Sequence, residues 1–165
     1  MSDDHNHDDV QFIRPPDDLA RKAPMTAGGV DPETIAKAEA MIASLQTDYL
    51  NWAEEDAAKL LHAYETLVSG SADQDAAKAD LFRLAHDMKG QGGSFGFDLI
   101  TIVGDQLCRF LESIEAPPSR AEAEVVKVHV EAIRLILAQR MKGDGGREGA
   151  MLLDGLQRTI RKVSA

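Results

Sequence analysis

The sequence is short of several things, and each shortage removes a class of function. It has one cysteine, Cys108, so no internal disulfide can form. Lysine and arginine number 18 against 28 aspartates and glutamates, for a net charge of −10. That balance argues against nucleic acid, whose phosphates need clustered cations, and against an anionic membrane surface. No run of about 18 apolar residues occurs, and no signal-peptide core follows Met1. A cytoplasmic protein without membrane contact is the expectation. The phosphate loop G-x-x-x-x-G-K-[ST] and the nucleophile motif G-x-S-x-G are both missing, and no Cys/His cluster has zinc spacing. No metal or cofactor of its own is therefore expected. Aromatic residues are only 5% of the chain.

What is present is alanine, leucine and charge in helical order. Hydrophobic residues make up 44% of the 165, enough for one real core. Residues 1–30 read as an acidic, largely disordered tail, with six aspartates, three prolines and little periodicity. His5 and His7 there read as solvated sequence, and the patch Val10, Phe12 and Ile13 as an element that docks on the domain or on another protein. Residues 31–165 read as the folded domain.

Asp31-Pro32-Glu33 is a helix start, with Asp as cap and Pro in the first position. Helix-forming sequence then continues to Val68, carrying Ile35, Met41, Ile42, Leu45, Tyr49, Trp52, Leu60 and Leu67. A break near residues 46–48 is expected from the length alone. A second helix spans Asp73 to about Gly93, and a third runs from Asp98 to about Glu115, before Pro117-Pro118. Ser119 with Glu122 makes a capping box for a fourth, to about Met141, with Val125, Val128, Ala132, Leu135 and Ile136 inward. GDGGREG (143–149) reads as a flexible loop before a last helix from about Glu148 to Val163. His62 and His129 lie at apolar margins, and packing is the expected role of both. The pattern predicts an all-α fold: an antiparallel up-down four-helix bundle core with additional N- and C-terminal helices.

The most informative stretch is Leu81 to Phe97, LFRLAHDMKGQGGSFGF. At about 100° per residue, Ala77, Leu81, Leu84, Met88 and Phe95 gather on one side. His86 falls on the other, sharing its face with Lys89, Gly90 and Gly93. Helix geometry alone leaves a solvated histidine and a C-terminal glycine cap as open readings. The spacing adds to this. His86, Lys89, Gly90 and Gly96 stand as H-x-x-K-G-x-x-x-x-x-G, which resembles the phosphoacceptor motif of histidine phosphotransfer (HPt) domains. FRLAHDMKGQGGSFGF is similar to the N-terminal HPt domain of chemotaxis-type histidine kinases.

The resemblance implies a histidine-containing phosphocarrier of a two-component phosphorelay. His86 would accept the phosphoryl group and exchange it with the aspartate of a response-regulator receiver domain, which supplies Mg²⁺. Lys89 would offset charge on the phosphoryl oxygens, and the glycines would keep the surface low for the partner. A histidine kinase or hybrid kinase is the other implied partner. The chain would be a monomeric phosphotransfer intermediate without kinase activity of its own. In the relatives it most resembles, a Gln or Glu of the following helix holds the histidine ring. Cys108 stands at that position here, with Asp105 and Glu112 one turn to either side as substitutes. Two further readings stay open: a non-catalytic HPt-like module that regulates a receiver or kinase, and a detached phosphoacceptor domain of a chemotaxis-type kinase. The ending of the chain at Ala165 favours the carrier.

Overall fold

The computed structural model describes residues 31–70 and 73–164, apart from the side chains of Gln46 and Thr47. The tail residues 1–30, with His5, His7 and the Val10–Ile13 patch, lie outside the described residues. Five α-helices are present among those described: α1 (Pro32–Val68), α2 (Gln74–Gly92), α3 (Asp98–Ser113), α4 (Arg120–Ala138) and α5 (Gly146–Val163). A short 3₁₀ turn, Gly93–Phe95, leads from α2 toward α3. No strand occurs among the described residues. None of these helices is long and apolar enough to cross a membrane.

The described residues divide into two units, one ending at Ala40 and the other beginning at Met41. In the first, Asp31 starts α1 as expected. Its carboxylate accepts from the Glu33 amide at 3.3 Å and from the Thr34 hydroxyl at 3.4 Å. Glu33 and Lys37, one turn apart, pair at 2.8 Å.

The second unit is a helical bundle around one hydrophobic core. From α1 it takes Tyr49, Ala53, Ala57, Leu60, Ala63 and Leu67, a stripe with three- and four-residue steps. Leu81, Leu84 and Met88 enter from α2. Leu99, Val103 and Leu107 come from α3, and Val126, Ile133 and Ile136 from α4. Leu156 of α5 closes the core. The α4 capping box forms as read: Ser119 N–H donates to Glu122 at 2.7 Å, and the Glu122 amide donates to the Ser119 hydroxyl at 3.3 Å.

Several expectations are corrected here. α1 has no break at residues 46–48. No Gly or Pro interrupts it after Pro32, and the polar residues there cost only tenths of a kcal/mol each. Trp52, Met41, Ile42 and Leu45 of its apolar pattern are exposed, Trp52 at 54%. Leu135, expected inward, is 46% exposed, because it sits on the flank of the α4 stripe with half-buried Val128. Met151 is 66% exposed. The GDGGREG loop is pinned rather than loose. The Gly143 amide donates to Gly96 O at 2.8 Å, and the Leu99 amide donates back to Gly143 O at 3.2 Å.

The two margin histidines part company. His62 is exposed, so packing is not its role. His129 is fully buried as expected, with Nδ1–H donating to Val125 O at 2.8 Å. Its Nε2 is buried without a partner among the described residues. Burial pushes the His129 pKa below the usual imidazole value. An unfolded chain therefore takes up a proton that the folded chain refuses. The contribution of His129 to stability is full above roughly pH 6.5 and is lost as pH falls from there through the depressed folded value. The variant His129→Leu is expected to flatten the acid side of this dependence in denaturant titrations run across roughly pH 5–7. An unchanged slope would assign the acid sensitivity to other groups.

Candidate functional site

α2 sorts its side chains by helical period. Ala77, Leu81, Leu84, Ala85 and Met88 are buried, while the His86 side chain is 62% exposed on the opposite side. Lys89 follows one turn later, half-buried. The Phe82 ring, one turn before, stacks near the His86 imidazole at 6.1 Å between centroids. Asp87 places Oδ1 at 4.0 Å from His86 Nδ1.

α3 comes close to this helix at Gly104, which has no side chain to hold the two apart. A Cβ at that position would stand 3.0 Å from Lys89 Cβ and 3.1 Å from the Ala85 carbonyl oxygen. Thr101, one turn earlier on α3, ties the end of α2. Its hydroxyl donates to Lys89 O at 3.0 Å and accepts the Gly93 amide at 3.0 Å. These bonds satisfy terminal groups that the helix itself leaves open.

The close approach brings α3's polar face against His86 and Lys89. Asp105 bridges two cations: Lys89 Nζ lies 2.7 Å from its Oδ1, and Arg109 Nε lies 2.9 Å from its Oδ2. The Lys89 bond is the main reason that the Asp105 carboxyl is held below its ordinary pKa. The same bond holds the Lys89 ammonium above its own. Cys108 is buried, which pushes its thiol pKa up, and Sγ–H donates weakly to Phe82 O at 3.9 Å.

His86, Lys89, Asp105, Cys108 and Glu112 thus line one open recess of about 540 Å³, together with Phe82, Arg83 and Arg109. Among the described residues, no hydrogen bond joins the His86 ring to Asp105, Cys108 or Glu112. The glycines lie outside the recess. Gly90 has open space where its side chain would be, and Gly93 opens the turn after α2. Gly96 takes φ +76°, in the left-handed region that favours glycine. A larger groove of about 700 Å³ between α1 and α2 contains His62, which has no lysine a turn after it. No group of three His, Cys, Asp or Glu that could hold a metal ion occurs among the described residues.

Two residues of the site escaped the sequence reading. Arg109 follows Asp105 by four positions, an opposite-charge spacing that was available to be read. Gly104 sits inside a helical pattern, where a glycine often marks close approach of another element.

A sequence model of the Hpt domain matches residues 44–140. The chain belongs to the Hpt domain family. Hpt domains are helical bundles serving histidine-containing phosphotransfer in two-component signalling, and kinases and receiver domains are their typical partners. No curated protein and no solved structure matches the chain. In this Hpt domain the matched span begins inside α1 and ends just past α4, so it contains the whole recess, while α5 lies beyond it.

Proposed function

We propose that this Hpt domain is a phosphocarrier whose phosphoacceptor is His86, exchanging its phosphoryl group with the aspartate of a receiver domain. The observation that carries this reading is the placement of an exposed imidazole one turn before Lys89, over a recess that also holds Arg109. Neutral imidazole is a competent nucleophile near pH 7. Asp87 faces Nδ1, which favours attack through Nε2. The new N–P bond forms as the acyl O–P bond of the receiver breaks, and the aspartate leaves as carboxylate. Positive charge developing on the ring faces the Asp87 carboxylate, and Lys89 faces the phosphoryl oxygens.

Mg²⁺ belongs to the receiver in this scheme, and the carrier works as a cytoplasmic monomer without kinase activity of its own. Short connections between successive helices support the antiparallel four-helix arrangement of the bundle. Gly90 leaves the surface beside His86 low, which suits a transient partner interface.

The test is transfer from a receiver charged by a small phosphodonor in Mg²⁺. An acid-labile, base-stable label is expected on the wild type and none above background on His86→Ala. A docking module that takes no phosphate is the second reading, favoured by Cys108, which bonds Phe82 rather than the ring. It would replace the first if a receiver binds the chain yet neither receivers nor a kinase core label it.

A further inference from the structure

We infer that Arg109 is a second phosphoryl-binding residue of this site, held beside Lys89 by Asp105 as a positioning residue. The inference rests on the reading of His86 as phosphoacceptor. It begins from a charge balance. A phosphoryl group brings roughly two negative charges to the recess. Lys89 is already engaged, bonded to a full carboxylate at 2.7 Å, so this pair alone offers no net charge. Arg83 is drawn elsewhere, toward Asp80 at 3.5 Å and Asp87 at 3.7 Å. Glu112 adds a further negative charge to the recess wall. Arg109 makes the Lys89–Asp105–Arg109 group net positive.

Its geometry fits the task. Arg109 meets Asp105 through Nε, which leaves both terminal amino groups of the guanidinium uncommitted to that carboxylate. Its side chain is 78% exposed and borders the same recess as His86. A planar pair of N–H donors matches two oxygens of a phosphoryl group better than an ammonium does. Asp105 uses one oxygen for each cation, so it fixes the two relative to each other on the side of α3 that faces α2. Where the resemblance calls for a group that holds the histidine ring, this helix supplies Cys108, flanked by an anchored cation. On this geometry, α3 serves the phosphoryl group rather than the ring.

The experiment charges the full chain directly with phosphoramidate, so no partner protein is needed. His86 bonds to phosphorus, the donor's P–N bond breaks, and ammonia leaves after taking up a proton. Labelling rates would be compared for wild type, Arg109→Ala, Arg109→Lys and Asp105→Asn, with His86→Ala as baseline and thermal unfolding as a check on folding. Arg109→Ala is expected to label about tenfold more slowly, the scale of one charge-assisted hydrogen bond. Arg109→Lys should fall between, keeping charge but losing the fork.

Asp105→Asn has its own signature in the pH profile. Lys89 faces Asp105, Cys108 and Arg109 from α3, and its bond to Asp105 is the main cause that raises its pKa. In Asp105→Asn the alkaline loss of rate should move to lower pH, and Asp105→Glu should move it back. Wild-type labelling that is unaffected by Arg109→Ala overturns the inference alone. A wild type that neither phosphoramidate nor a charged receiver labels overturns the phosphoacceptor reading and this inference with it. An Arg109 effect with no alkaline shift in Asp105→Asn removes Asp105 from its positioning role.

Discussion

Replacing Gly104 with valine is expected to destabilise the fold by about 2–3 kcal/mol and to slow phosphoryl uptake as well. The Cβ alone would stand 3.0 Å from Lys89 Cβ and 3.1 Å from Ala85 O. Neither neighbour yields easily: one lies at the root of its side chain, and the other is helix backbone. Two further methyl groups would force α3 away from α2. Gly104→Ala is the informative companion, because alanine recovers up to about 1 kcal/mol of helix propensity against a smaller clash. Its stability should therefore lie much nearer wild type. For valine a Tm lower by roughly 5–12 °C is expected. The functional loss has a definite route, since Asp105 follows Gly104 directly and would carry its hold on Lys89 outward. Both variants unfolding at the wild-type temperature would mean that the helices do not meet at this distance.

Phe97→Ala is expected to cost the most, about 3–5 kcal/mol, the range for deleting a fully buried phenylalanine. Phe97 is 0% exposed, lies 5.6 Å from the Tyr49 ring and carries Lys142 Nζ over its face at 4.3 Å. Its amide also donates to Gly92 O at 2.8 Å, closing the turn that joins α2 to α3. Phe95, two residues earlier, stacks on Tyr49 at 4.3 Å but is only half-buried. Phe95→Ala should lose the stacking and part of the burial, roughly 1–2 kcal/mol. Denaturant unfolding followed by near-ultraviolet circular dichroism would rank the two. Equal losses would show that the turn, and not the core position of Phe97, sets the stability of this end of the bundle.

Much of the site was legible because its first elements are local. His86 and Lys89 are one turn apart on a single helix, so their common face follows from helical period alone. The Ser119–Glu122 capping box and the start of α1 at Asp31 are local in the same sense, each needing only groups within four residues. Arg109 was missed although its spacing from Asp105 is local, because a charge pair on an exposed helix face is ordinarily a weak surface feature. What lifts it above that is Lys89, sixteen residues before Asp105 and on another helix.

The sequence by itself determined that the chain is helical, which faces of α2 and α3 are apolar, and that His86 shares a face with Lys89. These properties depend on residue type and on a repeat of 3.6, both of which are carried within one helix. Only the tertiary structure decided which margin residues were covered. His62 and His129 have similar apolar neighbours, yet one is solvated and the other fully buried, because burial depends on what the neighbouring helices bring up against them. The tertiary structure likewise decided that Asp105 bonds Lys89 and Arg109 rather than His86. That choice rests on how closely α3 approaches α2, a distance set by a missing side chain at Gly104.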